Sequence, residues 1–313
     1  MDLTDSVTPP TVQAIYKHYE AQRKNGNRPH LGGSQIGNEC ERALWYQFRH
    51  AGSRQIEGRI LRLFETGDRE ESRIVANLRA IGVTVWDRDP DTGKQIAFSS
   101  QGGHFGLSLD GVGTGFAEST ALHTLEYKTM NDKAFKAISK DGLQKSKPVY
   151  WAQCQVGMHL ADIDRCYFFA VNKNDDSIYA ERVKLDKAEA MMLIAKAGRV
   201  IFAEKPPAKI NDNPAFFLCK FCDYWDVCHG GRPPDVNCRT CAHATPEQNG
   251  TWSCAAGKAF GTACEGHLYN PYAMPWPISD AGDDWIEYTD AVTGEVIRNA
   301  GNSEAILAAW APF

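Results

Sequence analysis

Two short segments carry the side chains best suited to chemistry: Leu109-Asp110-Gly111 and Glu126-Tyr127-Lys128. The carboxylates of Asp110 and Glu126 are hard oxygen donors of the kind Mg²⁺ or Mn²⁺ prefers. In a β-strand, alternation turns Glu126 and Lys128 to one face and Tyr127 to the other. One protein edge can then hold a divalent cation beside a phosphate. Lys128 is placed to orient an attacking water or to offset charge on the phosphate.

Helical phase singles out two more residues. At about 100° per residue, Ile60, Leu63, Phe64, Gly67, Ile74, Val75 and Leu78 form one stripe of a helix over 57–80. Glu71 falls near the middle of that stripe and Glu70 to one side, in solvent. A carboxylate on a buried face is costly unless something pairs with it, and a metal ion or its bound water would serve. In a helix over 149–161, Val149, Val156, Gly157 and Leu160 share a face with Gln153, whereas Gln155 lies off it. An amide there can hydrogen-bond a nucleophilic water, a carboxylate or a phosphate. Taken singly, Glu-x-Lys is common on exposed strands, Asp-Gly is common in turns, and an inward Glu71 can pair with Lys128 for structural reasons alone. The order Glu, Asp-Gly, Glu-x-Lys, Gln inside one α/β pattern is what gives the set its weight.

These residues need elements to position them. A polar helix at 11–24 precedes a Gly/Asn/Pro stretch. Residues 34–49 read as a helix, with Ile36, Cys40, Leu44 and Phe48 spaced four apart. After the helix at 57–80 come a strand at 83–86, a turn at Asp89–Gly93, and strands at 104–110 and 121–128 joined by a Gly-rich connection. Helices at 131–141 and 149–161 follow, then strands at 166–172 and 177–183 paired across Asn174-Asp175-Asp176, and a helix at 185–203. This predicts an α/β fold with a mixed sheet between helices, followed by a cysteine-rich module at 219–267 that lacks an apolar core and needs metal to hold it. A hairpin turning at Thr293-Gly294 is predicted over 284–299. The expected organisation is an N-terminal helix and linker (1–30), a core (31–230), a metal knuckle (231–270) and a C-terminal extension (271–313).

In these residues the sequence resembles the PD-(D/E)XK nuclease superfamily, in its RecB-like and lambda-exonuclease-like branch. The resemblance covers about residues 31–230 and implies a restriction-endonuclease-like mixed β-sheet core flanked by helices. It also implies that Glu71, Asp110, Glu126 and Lys128 surround the cation, that the backbone carbonyl of Tyr127 is a further ligand, and that Gln153 follows on the next helix. Leu109 stands where the signature has Pro, which removes no ligand. The implied reaction is metal-assisted phosphodiester hydrolysis leaving a 5′-phosphate.

The ten cysteines matter by position. In a reducing compartment, paired Cys-x-x-Cys spacings suggest metal rather than disulfides. Cys219, Cys222 and Cys228 form C-x2-C-x5-C and need a fourth ligand; Cys40 is the best candidate and Cys166 the runner-up. One distant Cys plus such a C-terminal cluster resembles the iron–sulfur members of the superfamily, the CRISPR-adaptation exonucleases and the AddB nuclease domain. That implies a [4Fe–4S] cluster stapling the two ends of the core, although four thiolates also suit Zn²⁺. Cys238, Cys241, Cys254 and Cys264 form C-x2-C-x12-C-x9-C, with the look of a closed zinc ribbon or knuckle in which His267 is the likeliest substitute ligand. Cys154 and Cys166 otherwise read as small buried hydrophobes. The aromatics Phe221, Tyr224, Trp225, Trp252 and Phe260 either stack on unpaired bases or cover the knuckles.

Lys133, Lys136 and Lys140 recur at helical spacing after Lys128, and Arg59, Arg62, Arg69 and Arg73 extend the basic track. Such a stripe attracts phosphates, or is simply a solvated face. No base-reading motif is present, so DNA binding is expected to be sequence-independent. The chain has 313 residues, is 43% hydrophobic, and carries a net charge of −5, which argues against a non-specific basic coat. No apolar run approaches ~18 residues, so no membrane association is expected, and the acidic start at residues 1–5 reads against secretion. The expectation is a cytoplasmic, Mg²⁺- or Mn²⁺-dependent DNA exonuclease for recombination, repair or phage DNA processing, with a recombination or single-strand-annealing protein as partner. The rivals are a structure- or end-specific endonuclease and a non-catalytic DNA-binding subunit.

Overall fold

Alternating helical and strand periodicities take shape as separate layers. The computed structural model describes residues 8–23, 28–52, 56–261, 264–291 and 293–310; the acidic start at 1–5 lies outside the described residues. In chain order the elements are α1 (Pro10–Gln22), β1 (Leu31–Gly32), α2 (Glu41–Arg49), α3 (Gly58–Ala80), β2 (Thr84–Trp86), β3 (Ala97–Ser100), β4 (Phe105–Ser108), β5 (Gly111–Thr114), β6 (His123–Met130), α4 (Asp132–Ser146), α5 (Pro148–Ala161), β7 (Arg165–Asn172), β8 (Ile178–Lys184) and α6 (Lys187–Phe202). They continue with two short helices, α7 (Phe217–Lys220) and α8 (Trp225–Cys228), then β9 (Ala244–Pro246), β10 (Trp252–Cys254), β11 (Ile278–Ala281), β12 (Ile286–Thr289), β13 (Val296–Asn299) and α9 (Ser303–Ala309). Among the described residues no helix is long and apolar enough to cross a membrane.

The central layer is a five-stranded mixed sheet in the order β2-β5-β6-β7-β8, with β6 and β7 parallel and the other pairs antiparallel. Strand alternation sorts its side chains to two faces. Leu125, Tyr127, Tyr167, Phe169 and Val171 pack under Ile74, Val75 and Leu78 of α3. Met130, Cys166, Phe168, Ala170 and Val183 pack on the other face against Ile138 and Leu143 of α4 and Cys154 and Met158 of α5. A predicted α/β fold with a mixed sheet between helices is therefore what forms. A third cluster joins Leu44, Trp45 and Phe48 of α2 to Ala197, Val200 and Ile201 of α6. A fourth holds the C-terminal sheet β11-β12-β13 against Tyr269 and Ile306.

Four expectations need correction. The helix read over 34–49 covers only Glu41–Arg49: Gly33–Gln35 is a 3-10 turn, and Cys40 is the extended N-cap, its N–H bonded to the Asn38 side chain. Gly37 and Asn38 interrupt the four-residue spacing, although Ile36, Leu44 and Phe48 are all buried. The strand read over 104–110 forms only at Phe105–Ser108, as β4 pairing with β1 and β3; Leu109 and Asp110 then lead into β5, which belongs to the other sheet with β2 and β6. The stripe on α3 is buried only in its C-terminal half; Leu63 and Phe64 are exposed in the half that meets α1, a helix that buries no residue of its own. Gln155 is buried as well as Gln153, donating to Lys184 O and accepting from Asp186 N at the α5–β8 boundary.

Two buried arginines dock the cysteine-rich segment on the core. Arg49 donates to Ala203 O, Arg239 O and Ala244 O, and its guanidinium lies 5.2 Å from both the Trp45 and the Trp252 ring. Arg239 donates to Phe48 O and Pro29 O and lies 5.0 Å from the same Trp252 ring. Among the described residues neither pairs with a carboxylate, and burial pulls both down to about 10. Backbone carbonyls and aromatic faces supply the negative potential instead.

Helix α1 buries no residue of its own and attaches to α3 at Gly58. A Cβ there would lie 2.1 Å from Tyr16 O; the Gly58 N–H donates to Glu20 Oε1, and Tyr19 bonds Glu65. Gly58→Val should therefore detach α1, raising amide exchange across Pro10–Gln22 while leaving β6 and β7 protected. Unchanged exchange in α1 would show that this close approach is not what docks it.

Candidate active site

The handover from β4 to β5 places Asp110 in the gap between two sheets. Gly111 pairs with Leu125, so Asp110 lies beside the next residues of β6, and its Oδ2 accepts the Tyr127 N–H at 2.8 Å. Glu126 and Lys128 project to the α5 side of β6, as alternation requires. Glu126 is 3% exposed; one carboxylate oxygen accepts Gln153 Nε2 at 2.9 Å and the other contacts Lys128 Nζ. Lys128 Nζ also donates to the Tyr127 carbonyl at 3.1 Å and sits 5.5 Å from the Tyr150 ring centre. Glu71 reaches this cluster from α3, half-buried and in electrostatic contact with Asp110 and Lys128. Glu70 turns away to Arg73. Hydrogen bonds on and around β6 thus gather Asp110, Glu126, Lys128 and Gln153, and Glu71 joins them through electrostatic interaction alone.

Their electrostatics are those of charges short of a counterion. Burial pushes Glu71 up to about 7, with Asp110 adding to the rise and Lys128 opposing it. Burial likewise raises Asp110 against the pull of Lys128 and the Tyr127 N–H. Glu126 is raised to about 8, first by burial, with Lys128 opposing and Asp110 and Glu71 reinforcing. Burial pulls Lys128 down, yet Glu126 and Asp110 outweigh it and hold the ammonium above its ordinary range. Three hard-oxygen donors in a desolvated pocket with one cation among them suit Mg²⁺ or Mn²⁺ by donor chemistry.

A cleft opens on Asp110, Lys128 and Gln153, and its walls include Arg28, His30, Ser34, Gln35 and Tyr150. Sequence reasoning missed these. Tyr150 had a signal, standing one helical turn before Gln153. Arg28 and His30 had none: the parallel pairing of Leu31 with Phe105 brings them in, and Gly106 makes room, since a Cβ there would lie 2.7 Å from the His30 ring. Lys133, Lys136 and Lys140 are exposed on α4, with Lys136 held by Asp132 at 2.7 Å. They are not among the residues lining this cleft, whose basic groups are Arg28, His30 and Lys128.

The cysteines gather in two places. Cys40, Cys219, Cys222 and Cys228 line one cavity together with Arg42 and Lys209. Cys166 instead lies in the central core against Cys154. Cys238, Cys241, Cys254 and Cys264 line a second, more apolar cavity with His243 and His267. The ring nitrogens of His267 are already engaged, Nδ1 with Ser303 Oγ at 2.8 Å and Nε2 with Asn237 O at 3.1 Å, so it is a strut rather than the substitute ligand expected above. Among the described residues no three His, Cys, Asp or Glu side chains stand at closed metal-holding geometry. Of the aromatics, Trp252 stacks on Phe48 and Phe260, whereas Phe221, 70% exposed, lies edge-on to Phe217 and lines the Cys40 cavity with Tyr224 and Trp225.

No family model matches the chain, and no curated protein matches it. Among solved structures, an alkaline exonuclease from Laribacter hongkongensis is similar at 17% identity and TM-score 0.41, over 59% of this chain and 90% of that one. The same exonuclease in complex with dAMP is similar at 16% identity and TM-score 0.37, over 59% and 89%. The structure of SSO0001 is similar at 13% identity and TM-score 0.41, over 71% and 97%. Similarity this low leaves the functional reading to the side-chain geometry.

The raised carboxyls carry a stability consequence. Glu71 keeps its proton to about pH 7 when folded but only to about 4.5 when unfolded. The folded state therefore binds more protons across that window, and its advantage is lost as pH rises through it. Without divalent cation, Tm should fall between pH 5 and pH 8 (about the window of the shift), and Glu71→Gln should flatten the slope and raise Tm at the alkaline end. A steeper slope in Glu71→Gln would show that Glu71 is not the desolvated acid.

Proposed function

We propose that this protein is a divalent-cation-dependent nuclease of the PD-(D/E)XK kind, and within that class a sequence-independent DNA exonuclease. The observation that carries the reading is the meeting of Glu71, Asp110, Glu126, Lys128 and Gln153, from three separate elements and a loop, beside one open cleft. The exonuclease assignment rests on the resemblance of these residues to the RecB-like and lambda-exonuclease-like branch.

Glu71, Asp110 and Glu126, with the Tyr127 carbonyl, are the groups that would hold the cation, which when bound supplies Lewis-acid polarisation of a phosphate and a water of lowered pKa. Gln153 fixes the Glu126 carboxylate through its Nε2–H, so that carboxylate keeps one orientation. Lys128 presents an ammonium that stays charged at neutral pH and offsets negative charge building on the phosphate. The Tyr150 face limits where that ammonium can move. Arg28 at the cleft wall receives a neighbouring phosphate of the same strand.

The proposal includes a [4Fe–4S] cluster among Cys40, Cys219, Cys222 and Cys228. Its support is the shared cavity and the resemblance to iron–sulfur nucleases; burial raises the Cys222 and Cys228 thiols, and Arg42 and Lys209 in the cavity wall oppose that rise at Cys228. The setting proposed is the cytoplasm, with a recombination or single-strand-annealing protein as partner, in recombination, repair or phage DNA processing.

Labelled linear, circular and single-stranded DNA with Mg²⁺ or Mn²⁺ tests the reading. Linear DNA should be degraded and circles spared, and Lys128→Ala should slow the reaction by about 10²–10³-fold, the loss typical of removing one charge-stabilising group. Nicking of circles would point to the endonuclease; equal behaviour of wild type and Lys128→Ala on every substrate and metal would sink catalysis. Protein purified without oxygen should be brown and lose its iron in Cys222→Ser, and colourless protein would remove the cluster while leaving the nuclease reading intact.

A further inference from the structure

We propose that Cys238, Cys241, Cys254 and Cys264 hold one structural zinc ion, and that this ion fixes Arg239 as a strut behind the cleft wall formed by Arg28 and His30. The first half concerns a site outside the proposed catalytic cluster and does not depend on nuclease activity.

The four sulfurs line a single small cavity whose other walls include Ala244, Ala256 and Phe260. Cys241, Cys254 and Cys264 are thiols rather than disulfides. Each of these three opens a tight turn, its carbonyl accepting an N–H three residues on: Ala244 at 3.2 Å, Gly257 at 2.9 Å and His267 at 2.9 Å. Gly257 takes φ +67°, which lets the second turn close without strain. Cys238 opens the 3-10 turn Cys238–Thr240, capped by Asn237. Four separate turns thus bring four cysteines to the lining of one apolar cavity; no three of them stand as a closed ligand set in this structure, so the ion would draw their side chains together. Such a donor set, with no carboxylate among it, suits tetrahedral Zn²⁺.

Nothing else of comparable strength closes this segment. Its strands β9 and β10 are three residues each, and of its two large aromatics Trp252 packs outward on Phe48 and the two buried arginines, with Phe260 stacked on it. The fourth apolar cluster begins only at Val236 and Tyr269, on either side of the turns. His267 is committed to Ser303 and Asn237. A segment with so little apolar burial of its own is ordered by a metal more readily than by packing.

The consequence lies in Arg239, which stands between Cys238 and Cys241. Its guanidinium donates to Pro29 O at 2.7 Å and Phe48 O at 2.9 Å. Pro29 lies between Arg28 and His30, both of which line the cleft beside Asp110 and Lys128. The Arg239 N–H donates to Asn237 Oδ1 at 2.9 Å within the short capped turn, and a zinc ion on the two flanking sulfurs would fix that turn in place.

Metal analysis and thiol labelling of the full chain test this. A Cys222→Ser chain, in which the other thiol set lacks a member, should retain one zinc per chain, and a Cys222→Ser/Cys254→Ser chain should retain almost none. In fresh wild-type protein, Cys264, although exposed, should resist iodoacetamide together with the other three. A chelator that strips zinc should expose all four at once and speed amide exchange at residues 28–32 at least tenfold, with residues 126–130 unchanged. Independent labelling of Cys264 in fresh wild type, iron in place of zinc, or zinc that survives Cys254→Ser would overturn the site. Exchange at 28–32 that ignores zinc removal would overturn the strut.

Discussion

Removal of three carboxylates from water around a single ammonium governs how this chain is built. Glu71, Asp110 and Glu126 are each raised first by desolvation, Glu71 and Glu126 also by neighbouring carboxylates, and one ammonium, Lys128, opposes all three. Such a cluster is stable only if it takes up protons or a cation, and the surrounding fold is arranged to withstand that demand. Asp110 is anchored by a backbone N–H, Glu126 by Gln153, and Lys128 by the Tyr127 carbonyl. Two of these bonds come from the backbone of Tyr127 in β6 and the third from α5, so the charges are held together by elements whose own cores are apolar. The cost of the cluster is set against the two-faced packing of β6 and β7 under α3 and over α4 and α5.

A second charge problem, of opposite sign, sits behind the cleft. Arg49 and Arg239 are buried side by side without a carboxylate partner among the described residues, and share the Trp252 ring. Carbonyls of residues 29, 48, 203, 239 and 244 accept from their terminal nitrogens, while the buried Arg49 Nε has no hydrogen-bond partner among the described residues. The cysteine-rich segment is thereby tied to α2, to the end of α6 and to the strand entering the cleft. Helix α2 carries Cys40 at its N-cap and Phe48 and Arg49 at its other end, so both cysteine groups bear on the same short helix. The candidate active site and the cysteine modules are in this way mechanically continuous.

The residues that sequence reasoning placed well share a property: their local period is unambiguous. Glu126 and Lys128 follow a two-residue alternation that the sheet obeys, and Gln153 follows a helical phase that α5 obeys. Where two periods compete or a break intervenes, the reading failed. Gly37 and Asn38 stop a helix that the spacing of Ile36, Cys40, Leu44 and Phe48 seemed to continue. Leu109-Asp110 looks like the end of one strand and is a passage between two sheets. Gln155 was judged by a single face of α5, but that helix is buried on more than one side, because α6 and β8 cover what would otherwise be solvent.

By itself the sequence determined the donor chemistry, the α/β layering and the grouping of cysteines by spacing, because residue type and periodicity are local properties. Only the tertiary structure decided which of those groups meet. Parallel pairing of β1 with β4 brought Arg28 and His30 to Asp110, burial separated Cys166 from the thiols near Cys40, and hydrogen bonds to Ser303 and Asn237 took His267 out of contention as a ligand. These outcomes depend on long-range packing and on competition for hydrogen-bond partners, and neither leaves a trace in the spacing of residues along the chain.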